Sequence, residues 1–444
     1  MTITTVELLQ ELIRNRCVND GSTDSGHEER SVATLREFFG AEGEIFEPAP
    51  GRQSVVYRVP GTQAGAPTLA LVPHLDVVPA NPTDWSVAPF SAEIANGFVW
   101  GRGAIDMLNI AAAMAQAFKP YLNGEATMPG DLIFVAVADE ENAGYYGAAP
   151  LVEDRWSLVG ADYLLTEVAY PSIPGQNGPL FPVAVGEKGP HWTRLETTGT
   201  PGHGSAPYGA DNALDPITEA LHGLFQTPAP VHIGDEWQEF VAAIDLPGDL
   251  AAALVDPERV DEAIDGIAID DPTLARYIHA VTHLTVSPNL LQGGIKANVV
   301  PDSAYAVVDV RTLPGMDRDS VNTHLRRAAG AVADRLALTP IADHPATVSS
   351  CDNPLWDAVV SGIETHTGST AVIPTMMTGF TDARFWRAKG TIAYGVGLYD
   401  DAIGFGEFLS LFHGRDERVS LASVDLTTEL LITILAGFAA DIEA

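Results

Sequence analysis

The sequence has few cysteines and few basic residues, and both shortages limit what the protein can be. Its 444 residues include two cysteines, Cys17 and Cys351, which are too few for a disulfide framework and fit a reducing compartment. Lysine and arginine number 24 against 59 aspartates and glutamates, so the net charge is −35. This charge argues against nucleic acid and anionic membranes as partners, because both repel negative charge. It would equally suit an ordinary charged surface that keeps the protein in solution.

The sequence also lacks the segments that would direct the chain to or across a membrane. No apolar run approaches the roughly 20 residues that a transmembrane helix needs. The N-terminal residues MTITTVELLQELIRN have no basic head before an apolar core, so no signal peptide is predicted and we expect a cytoplasmic protein. Hydrophobic residues make up 46% and charged residues 19% of the chain, which indicates a folded globular protein, and the length favours two domains.

A buried strand that ends in three acids is the central feature of the sequence. Seven apolar residues at 132–138 form an unbroken run, which is typical of a strand covered on both faces in a parallel sheet. Asp139, Glu140 and Glu141 follow directly. Open α/β sheets bind ligands at the carboxyl ends of their strands, and adjacent carboxylates need a positive partner such as a metal ion. A solvated acidic loop after a core strand would show the same pattern.

Three further segments end in residues that can bind metal ions. His74 and Asp76 follow an apolar strand at 69–72 and can point to the same side, so that Asp76 can accept the second ring N–H of His74. A turn or hairpin brings Asp106 to the start of a helix, and the apolar strand at 161–166 ends in Glu167. The alternatives are a chance His-x-Asp pair and an aspartate that only suits the helix dipole.

Taken in this order, these residues resemble the M20 family of dinuclear zinc peptidases and deacylases. That family includes glutamate carboxypeptidases, aminoacylases, acetylornithine deacetylases and succinyl-diaminopimelate desuccinylases. The resemblance covers nearly the whole chain. The motifs that carry it are His74-Leu75-Asp76, Gly101-Arg102-Gly103-Ala104-Ile105-Asp106, Asp139-Glu140-Glu141 and, near the C-terminus, His413-Gly414-Arg415-Asp416-Glu417.

The resemblance implies two divalent metal ions, with zinc expected first and cobalt or manganese as alternatives. Asp106 would bridge the two ions. His74 and Glu167 would bind one of them, and Glu141 and His413 would bind the other. Asp76 would orient His74. Glu140 would be the general base that takes a proton from water and later passes it to the leaving nitrogen.

The resemblance also implies the fold. We expect an α/β catalytic domain with a mostly parallel central sheet flanked by helices, formed by residues 1–186 and 314–444. Residues 187–313 would form an inserted, smaller α+β lid or dimerisation domain, through which the chain could form a homodimer. A helix at 319–336 is expected in the catalytic domain. The segment 230–285 carries no motif: it could cover the site, change the dimer contact, or do neither.

Several residues outside the ligand motifs resemble substrate contacts of the family. His203 matches a lid histidine that binds the oxyanion of the tetrahedral intermediate, often across a dimer. Asn298 and Arg311 match residues that bind the substrate carboxylate, and the planar fork of an arginine suits that role. Gly379 and Thr381 belong to a loop near the substrate. A plain Gly/Pro loop at His203 and a surface ion pair at Arg311 are the alternatives.

The expected function depends on the residue at position 167. Relatives with a glutamate there are carboxypeptidases and deacylases, whereas relatives with an aspartate are aminopeptidases. We therefore expect a hydrolase that cleaves an amide bond next to a free carboxylate in a dipeptide or an N-acyl amino acid. A dipeptidase or aminopeptidase and a catalytically silent binding relative are the alternatives. Where many members have Met-Lys-Gly-Gly, this chain has Met-Leu-Asn-Ile at 107–110, which marks a sub-branch.

Overall fold

The structure, a computed structural model, describes residues 3–175, 177–244 and 246–443. Within these residues the strands β1 to β20, in chain order, are Glu44–Phe46, Ser54–Val59, Leu69–Leu71, Glu93–Ala95, Phe98–Trp100, Leu132–Ala136, Tyr163–Thr166, Ile173–Gly175, Gly178–Glu187, Gly189–Pro190, Thr193–Thr198, Gly202–His203, Thr285–Gly293, Val299–Val300, Ser303–Thr312, Ala337–Pro340, Thr347–Val348, Val372–Met377, Ile392–Gly395 and Arg418–Ser420.

The α-helices of the same residues, α1 to α15, are Thr5–Asn15, Glu29–Phe39, Leu108–Leu122, Ala148–Asp154, Trp156–Val159, Leu214–Gln226, Asp235–Ala243, Gly248–Leu254, Val260–Ala268, Pro272–Thr282, Arg318–Ala329, Pro354–Thr367, Ala383–Arg387, Phe405–Leu411 and Leu421–Glu443.

The larger of the two main sheets has a parallel centre. Its strands lie in the order β1-β2-β6-β3-β7-β19-β9-β17, and β8 and β18 also pair with β9. The neighbours β6, β3, β7 and β19 run parallel, whereas β1, β2 and β17 are joined to the sheet antiparallel. Every residue of β3 and β6 is buried, as their unbroken apolar runs predict. The predicted α/β fold class is confirmed.

Helices cover both faces of this sheet. Along β6, Leu132 and Phe134 pack into one hydrophobic cluster with α1, α2, α3 and α15, and the alternate residues Ile133 and Val135 pack into another with α4, α5 and α13. Among the described residues, α15 alone has the length and composition of a membrane span. Half of its most apolar stretch is buried, and it packs on α3 and α12.

A second sheet, formed by β10, β11, β13, β15 and β16, corrects the predicted domain boundary. β16 lies after residue 314, yet it pairs antiparallel with β11 of this smaller sheet. The helix expected at 319–336 is α11, which ends at Ala329, and its Val321 and Leu325 pack in the core of the smaller sheet. Assigning α11 and β16 to the catalytic domain is therefore wrong. Amphipathic spacing predicts that a helix covers a sheet but does not tell which one.

The segment without a motif contains four helices, α7 to α10, that pack on the larger sheet. Trp237 and Phe240 of α7 share a cluster with Ile373 and Met376 of β18. Although its position in the sequence lies between strands of the smaller sheet, the segment is thus attached to the edge of the larger one. One face of α10 lines the cavity described next, so the segment covers the site.

Candidate metal centre

One group of possible ligands lies where parallel strands of the larger sheet end. His74 follows β3, Glu167 follows β7, and Asp106 lies in the loop before α3. The Nε2 atom of His74 is 3.3 Å from Asp106 Oδ1 and 3.3 Å from Glu167 Oε2. The side chains of His74 and Glu167 are 1% and 5% exposed. The family resemblance implies that these three residues bind one metal ion, and the structure brings them together.

A second group shares Asp106 with the first. The Nε2 atom of His413 is 3.3 Å from Asp106 Oδ2 and 3.1 Å from Glu141 Oε2. In each group the possible ligand atoms lie within 4.8 Å of one another. Because the two oxygens of Asp106 face different groups, this carboxylate can bridge two ions. The side chain of His413 is 57% exposed, so this group is open to solvent.

The donor set fits divalent cations. Oxygen and imidazole nitrogen donors suit zinc and similar metals. Burial raises the pKa of Glu141 to about 7 and that of Glu167 to about 8, and the neighbouring histidines offset this effect only in part. The buried Oε1 of Glu141 has no hydrogen-bond partner among the residues that the structure describes. Such an oxygen remains available as a ligand.

Glu140 belongs to neither group but lines the same cavity as Glu141 and Glu167. Burial raises the pKa of Glu140 well above its usual range, and the charge of Glu167 adds to this effect. The charge of Asp382 also raises the pKa of Glu140. Neither carboxyl oxygen of the buried Asp382 has a hydrogen-bond partner among the described residues. An acid whose protonated form is favoured in this way can accept a proton and release it again.

Asp76 differs from its predicted role. The Nδ1 atom of His74 is 3.0 Å from the backbone carbonyl oxygen of Asp76 and 3.7 Å from the nearer carboxylate oxygen. The carboxylate instead accepts the backbone N–H groups of Glu140 and Glu141, both at 3.1 Å. Asp76 thus orients His74 through its main chain and positions the two glutamates through its side chain.

A buried network behind the three acids escaped sequence reasoning. Arg52 donates to both oxygens of Glu28 at 2.9 Å and to Asp139 Oδ1 at 2.7 Å. Asn19 donates to Asp139 at 3.0 Å and to Asp76 at 2.8 Å. The side chains of Arg52, Glu28 and Asp139 are fully buried. These partners are far apart in the chain, and an arginine just before a strand gives no signal of such a role.

Both groups open into one cavity of about 730 Å³. Its wall includes Arg311 and Gly379, two of the predicted substrate contacts. Thr381 is different: it is 4% exposed, it is not part of this wall, and its hydroxyl donates to Glu187 at 2.8 Å. Thr381 therefore holds its loop in place instead of contacting substrate. Much of the remaining wall is apolar or aromatic: Tyr170, Trp192, Tyr277, Met377, Phe380 and Phe412.

Arg311 faces the cavity and also forms an ion pair. Its Nε and Nη2 donate to the two oxygens of Asp309 at 3.1 and 3.2 Å, and its Nη1 is 3.5 Å from the carbonyl oxygen of Thr378. The guanidinium also lies over the ring of Phe380 at 5.3 Å. The ion pair and the position on the cavity wall, considered as alternatives from sequence, occur together.

His203 and Asn298 lie together but not on the cavity wall. β12 pairs with β14, which places His203 opposite Val299, and the N–H of Gly204 donates to the carbonyl oxygen of Asn298 at 2.9 Å. Both residues are exposed, and Nδ1 of His203 is 2.8 Å from the hydroxyl of Ser205. Within one chain, neither residue is brought to the ligand groups.

An α/β sheet whose strand ends carry two histidine–carboxylate groups sharing an aspartate is typical of metal-dependent hydrolases. The sequence model of peptidase family M20/M25/M40 matches residues 70–437, and the chain belongs to this family. It is therefore an enzyme that hydrolyses amide bonds with the help of metal ions. The predicted family and enzyme class are confirmed, and the alternatives of a dipeptidase or aminopeptidase and of a silent relative are not supported.

Known proteins similar to this chain support that assignment. The chain is 25% identical to the N-fatty-acyl-amino acid synthase/hydrolase PM20D1 of Xenopus tropicalis, over 92% of this chain and 81% of the relative. It is 27% identical to aminoacylase-1 of Sus scrofa, over 96% and 94%. The fold is similar to that of an M20 family metallo-carboxypeptidase from Sulfolobus solfataricus, with a TM-score of 0.72, 17% identity and coverage of 98% and 99%.

Proposed function

We propose that the enzyme cleaves the amide bond next to a free carboxylate in a small peptide or N-acyl amino acid, with Glu140 as general acid and base. One observation carries this proposal. Glu140 is a buried carboxyl outside both ligand groups, on the wall of a cavity that also contains Arg311. A base next to the ligands and a cation in the same cavity suit a substrate with a carbonyl at one position and an anion at another.

The reaction would divide between the ligand groups and Glu140. Divalent ions, with zinc expected first and cobalt or manganese as alternatives, would supply Lewis acidity and lower the pKa of water at the site. Glu140 would take the proton of the attacking water and carry it to the leaving nitrogen. The Asp76 carboxylate holds the backbone of Glu140 at 3.1 Å, which keeps the acid aimed at the cavity.

Arg311 would hold the substrate carboxylate. Its pairing with Asp309 uses Nε and Nη2, whereas Nη1 has only a 3.5 Å contact with a carbonyl oxygen. The remaining donors can bind a carboxylate, and Asp309 fixes the orientation of the guanidinium.

The enzyme would act as a homodimer in the cytoplasm. His203 and Asn298 are exposed and away from the cavity of their own chain, which supports a role in the cavity of a second copy. Near them the edge strand β13 exposes 40% of Leu290 and 50% of Leu291, apolar surface that a dimer contact would cover. The free cysteines Cys17 and Cys351 support a reducing compartment.

A hydrolysis screen tests the reaction. N-acyl amino acids and dipeptides would be compared with their C-terminal amides after metal removal and reloading with zinc, cobalt or manganese. We expect the free acids to be hydrolysed roughly 10-fold to 100-fold faster in kcat/KM, the range for a charge-assisted hydrogen bond to carboxylate. Equal hydrolysis of acids and amides would contradict the carboxylate requirement.

A mixing experiment tests the dimer. Glu140→Gln and His203→Ala should each be nearly inactive alone. If His203 acts in the cavity of the other copy, mixed dimers contain one site with both residues intact, and activity should partly return. Sedimentation would check the dimer itself. A mixture that stays inactive although mixed dimers form would contradict the proposal.

A further inference from the structure

The helical segment without a motif contributes one wall of the cavity. Four residues of α10 line it: Thr273, Arg276, Tyr277 and Ala280. They occupy positions i, i+3, i+4 and i+7, which share one face of a helix. α10 therefore presents a single face to the cavity that holds the ligand groups, with one positive charge in it.

Arg276 supplies the positive charge on this face of α10. Among the residues that the structure describes, its guanidinium has no hydrogen bond, ion pair or ring contact, and the residue is exposed. Arg311, in contrast, is already paired with Asp309. The unpaired guanidinium of Arg276 therefore lies on the wall of the cavity that holds the ligand groups, where an anionic group of a ligand can bind it.

The helix that carries Arg276 is held at both ends. Lys188 donates to the carbonyl oxygens of Ala280 at 2.6 Å and His283 at 2.7 Å, at the C-terminal end where a cation suits the helix dipole. Asp271 caps the N-terminal end by accepting two backbone N–H groups of the first turn, at 3.1 and 2.9 Å. The backbone position of Arg276 is thus fixed relative to the cavity.

We propose that Arg276 binds a second anionic group of the substrate, separate from the carboxylate assigned to Arg311. This inference rests on the proposed function and specifies its substrate class: amides that carry two carboxylates. A cavity of about 730 Å³ has room for such a molecule. The apolar wall, which includes Trp192, Met377 and Phe380, suits the carbon skeleton between the two anions. A guanidinium binds a carboxylate through two parallel hydrogen bonds.

The second carboxylate has two possible sources, the acyl group or the side chain of the amino acid. Two pairs of substrates with equal carbon-chain length distinguish them. N-glutaryl-alanine and N-pentanoyl-alanine differ at the end of the acyl chain, and N-acetyl-glutamate and N-acetyl-glutamine differ in the side chain. The wild-type enzyme should prefer the doubly charged member of at least one pair, and that pair identifies the source.

The decisive variant is Arg276→Gln, with Arg276→Lys to test the need for a planar fork. For the preferred doubly charged substrate, Arg276→Gln should lower kcat/KM by roughly 10-fold to 100-fold, mostly through KM, and Arg276→Lys should lower it less. The partner substrate, which carries only one carboxylate, should change by less than about twofold. Arg259→Gln is the matched control, because Arg259 is on the same segment and pairs with the exposed Asp249 outside the cavity wall.

A binding measurement separates this role from a structural one. Calorimetry would compare Glu140→Gln with the double variant Glu140→Gln/Arg276→Gln. The double variant should bind the doubly charged substrate more weakly, whereas the metal content and the melting temperature of the two proteins should be equal. Equal losses for both members of each pair, or no loss for any substrate, would overturn the inference. If the wild-type enzyme hydrolysed no free-acid amide, the proposed function would fail. If it hydrolysed them without regard to a second carboxylate, only this inference would fail.

Discussion

The carboxylate of Glu417 accepts the backbone N–H of Asp106 at 3.1 Å and so connects the loop of His413 to the residue shared by both ligand groups. It also accepts the N–H of Ile105 at 2.7 Å and a hydrogen bond from Arg102 at 2.7 Å, and Arg102 donates to the carbonyl oxygen of His413 at 3.1 Å. The side chain of Glu417 is fully buried. One buried ion pair therefore positions ligands from two distant parts of the chain.

Glu417→Gln should loosen this connection. The glutamine keeps the shape, but its NH₂ group faces donors and leaves Arg102 without a full counter-charge. We expect a loss of about 2–4 kcal/mol in the free energy of unfolding and weaker retention of metal. Melting temperature and metal content measure both effects. Glu407→Gln is the control, because its ion pair with Arg418 lies at the surface, where such pairs contribute less than about 1 kcal/mol. Unchanged metal retention in Glu417→Gln would show that the connection does not support the site.

Glu140 and Glu141 should respond differently to the same substitution. Glu141 lies 3.1 Å from His413 in a ligand group, whereas Glu140 lies in neither. Glu140→Gln should keep its metal and lose activity by roughly 10²–10⁴-fold, the usual effect of removing a general acid or base. Glu141→Gln should lose metal and recover part of its activity in excess zinc. Metal content and rate, measured on the same preparations, decide between the roles. If Glu140→Gln is the variant that sheds metal, the two roles are exchanged.

The two ligand groups should release metal at different rates. The side chain of His413 is 57% exposed and that of His74 is 1% exposed, so a chelator reaches the group of His413 more easily than the group of His74. We expect a chelator to remove the first ion from that group quickly and the second ion slowly. Stopped-flow measurements of metal release to the chelator, on wild type and His413→Ala, check this order. The variant should lack the fast phase. Release of both ions in a single phase from the wild type would contradict it.

The ligand residues could be predicted because local patterns place them at strand ends and the family resemblance implies their roles. His74 and Glu167 each follow an apolar strand, and parallel strands bring such positions to one edge of the sheet. Helix ends depend on similarly local signals, but the exact residue is less certain. In α1 the N-cap is Thr4, which forms a capping box with Glu7. The spacing from Thr4 to Glu7 carried that information.

The features that were missed depend on contacts between distant segments. Arg52 and Asp139 meet only after β2 and β6 pair, and neither residue has a local pattern that marks the contact. The amphipathic spacing of α11 predicts a buried face without naming the sheet it covers. The sequence of α10 likewise does not show that one of its faces lines a cavity, because residues from distant parts of the chain form the rest of that cavity.

Arg52→Met should test the buried network. It removes the charge that Glu28 and Asp139 share and leaves both carboxylates buried without a cation. Breaking a buried pair in this way costs roughly 3–5 kcal/mol, because the remaining charges stay desolvated. Urea unfolding measures the loss. Arg58→Met is the control, since Arg58 pairs with Asp131 where both side chains are 31% exposed. Losses of equal size in the two variants would show that burial of the network adds nothing.

His279 should make stability depend on pH below neutrality. Burial lowers its pKa from 6.5 to about 4, and the neighbouring charges of His283 and Lys188 add to the effect. Asp261 opposes it. Between pH 6.5 and about pH 4 the unfolded chain binds a proton at this position that the folded chain does not. The free energy of unfolding therefore falls as the pH falls through this window.

His279→Phe should remove this dependence while keeping a ring against His283, whose ring centre is 4.2 Å from that of His279. Relative to the variant, the wild type should lose on the order of 1 kcal/mol of stability between pH 6.5 and pH 4.5, because the side chain is only partly buried. Urea unfolding of both proteins at several pH values measures the difference, in which the shared titration of the carboxylates cancels. His222→Phe, at an exposed position of α6, is the control and should track the wild type. If wild type and His279→Phe lose stability in parallel as the pH falls, the folded protein takes up the proton at His279 as easily as the unfolded chain does.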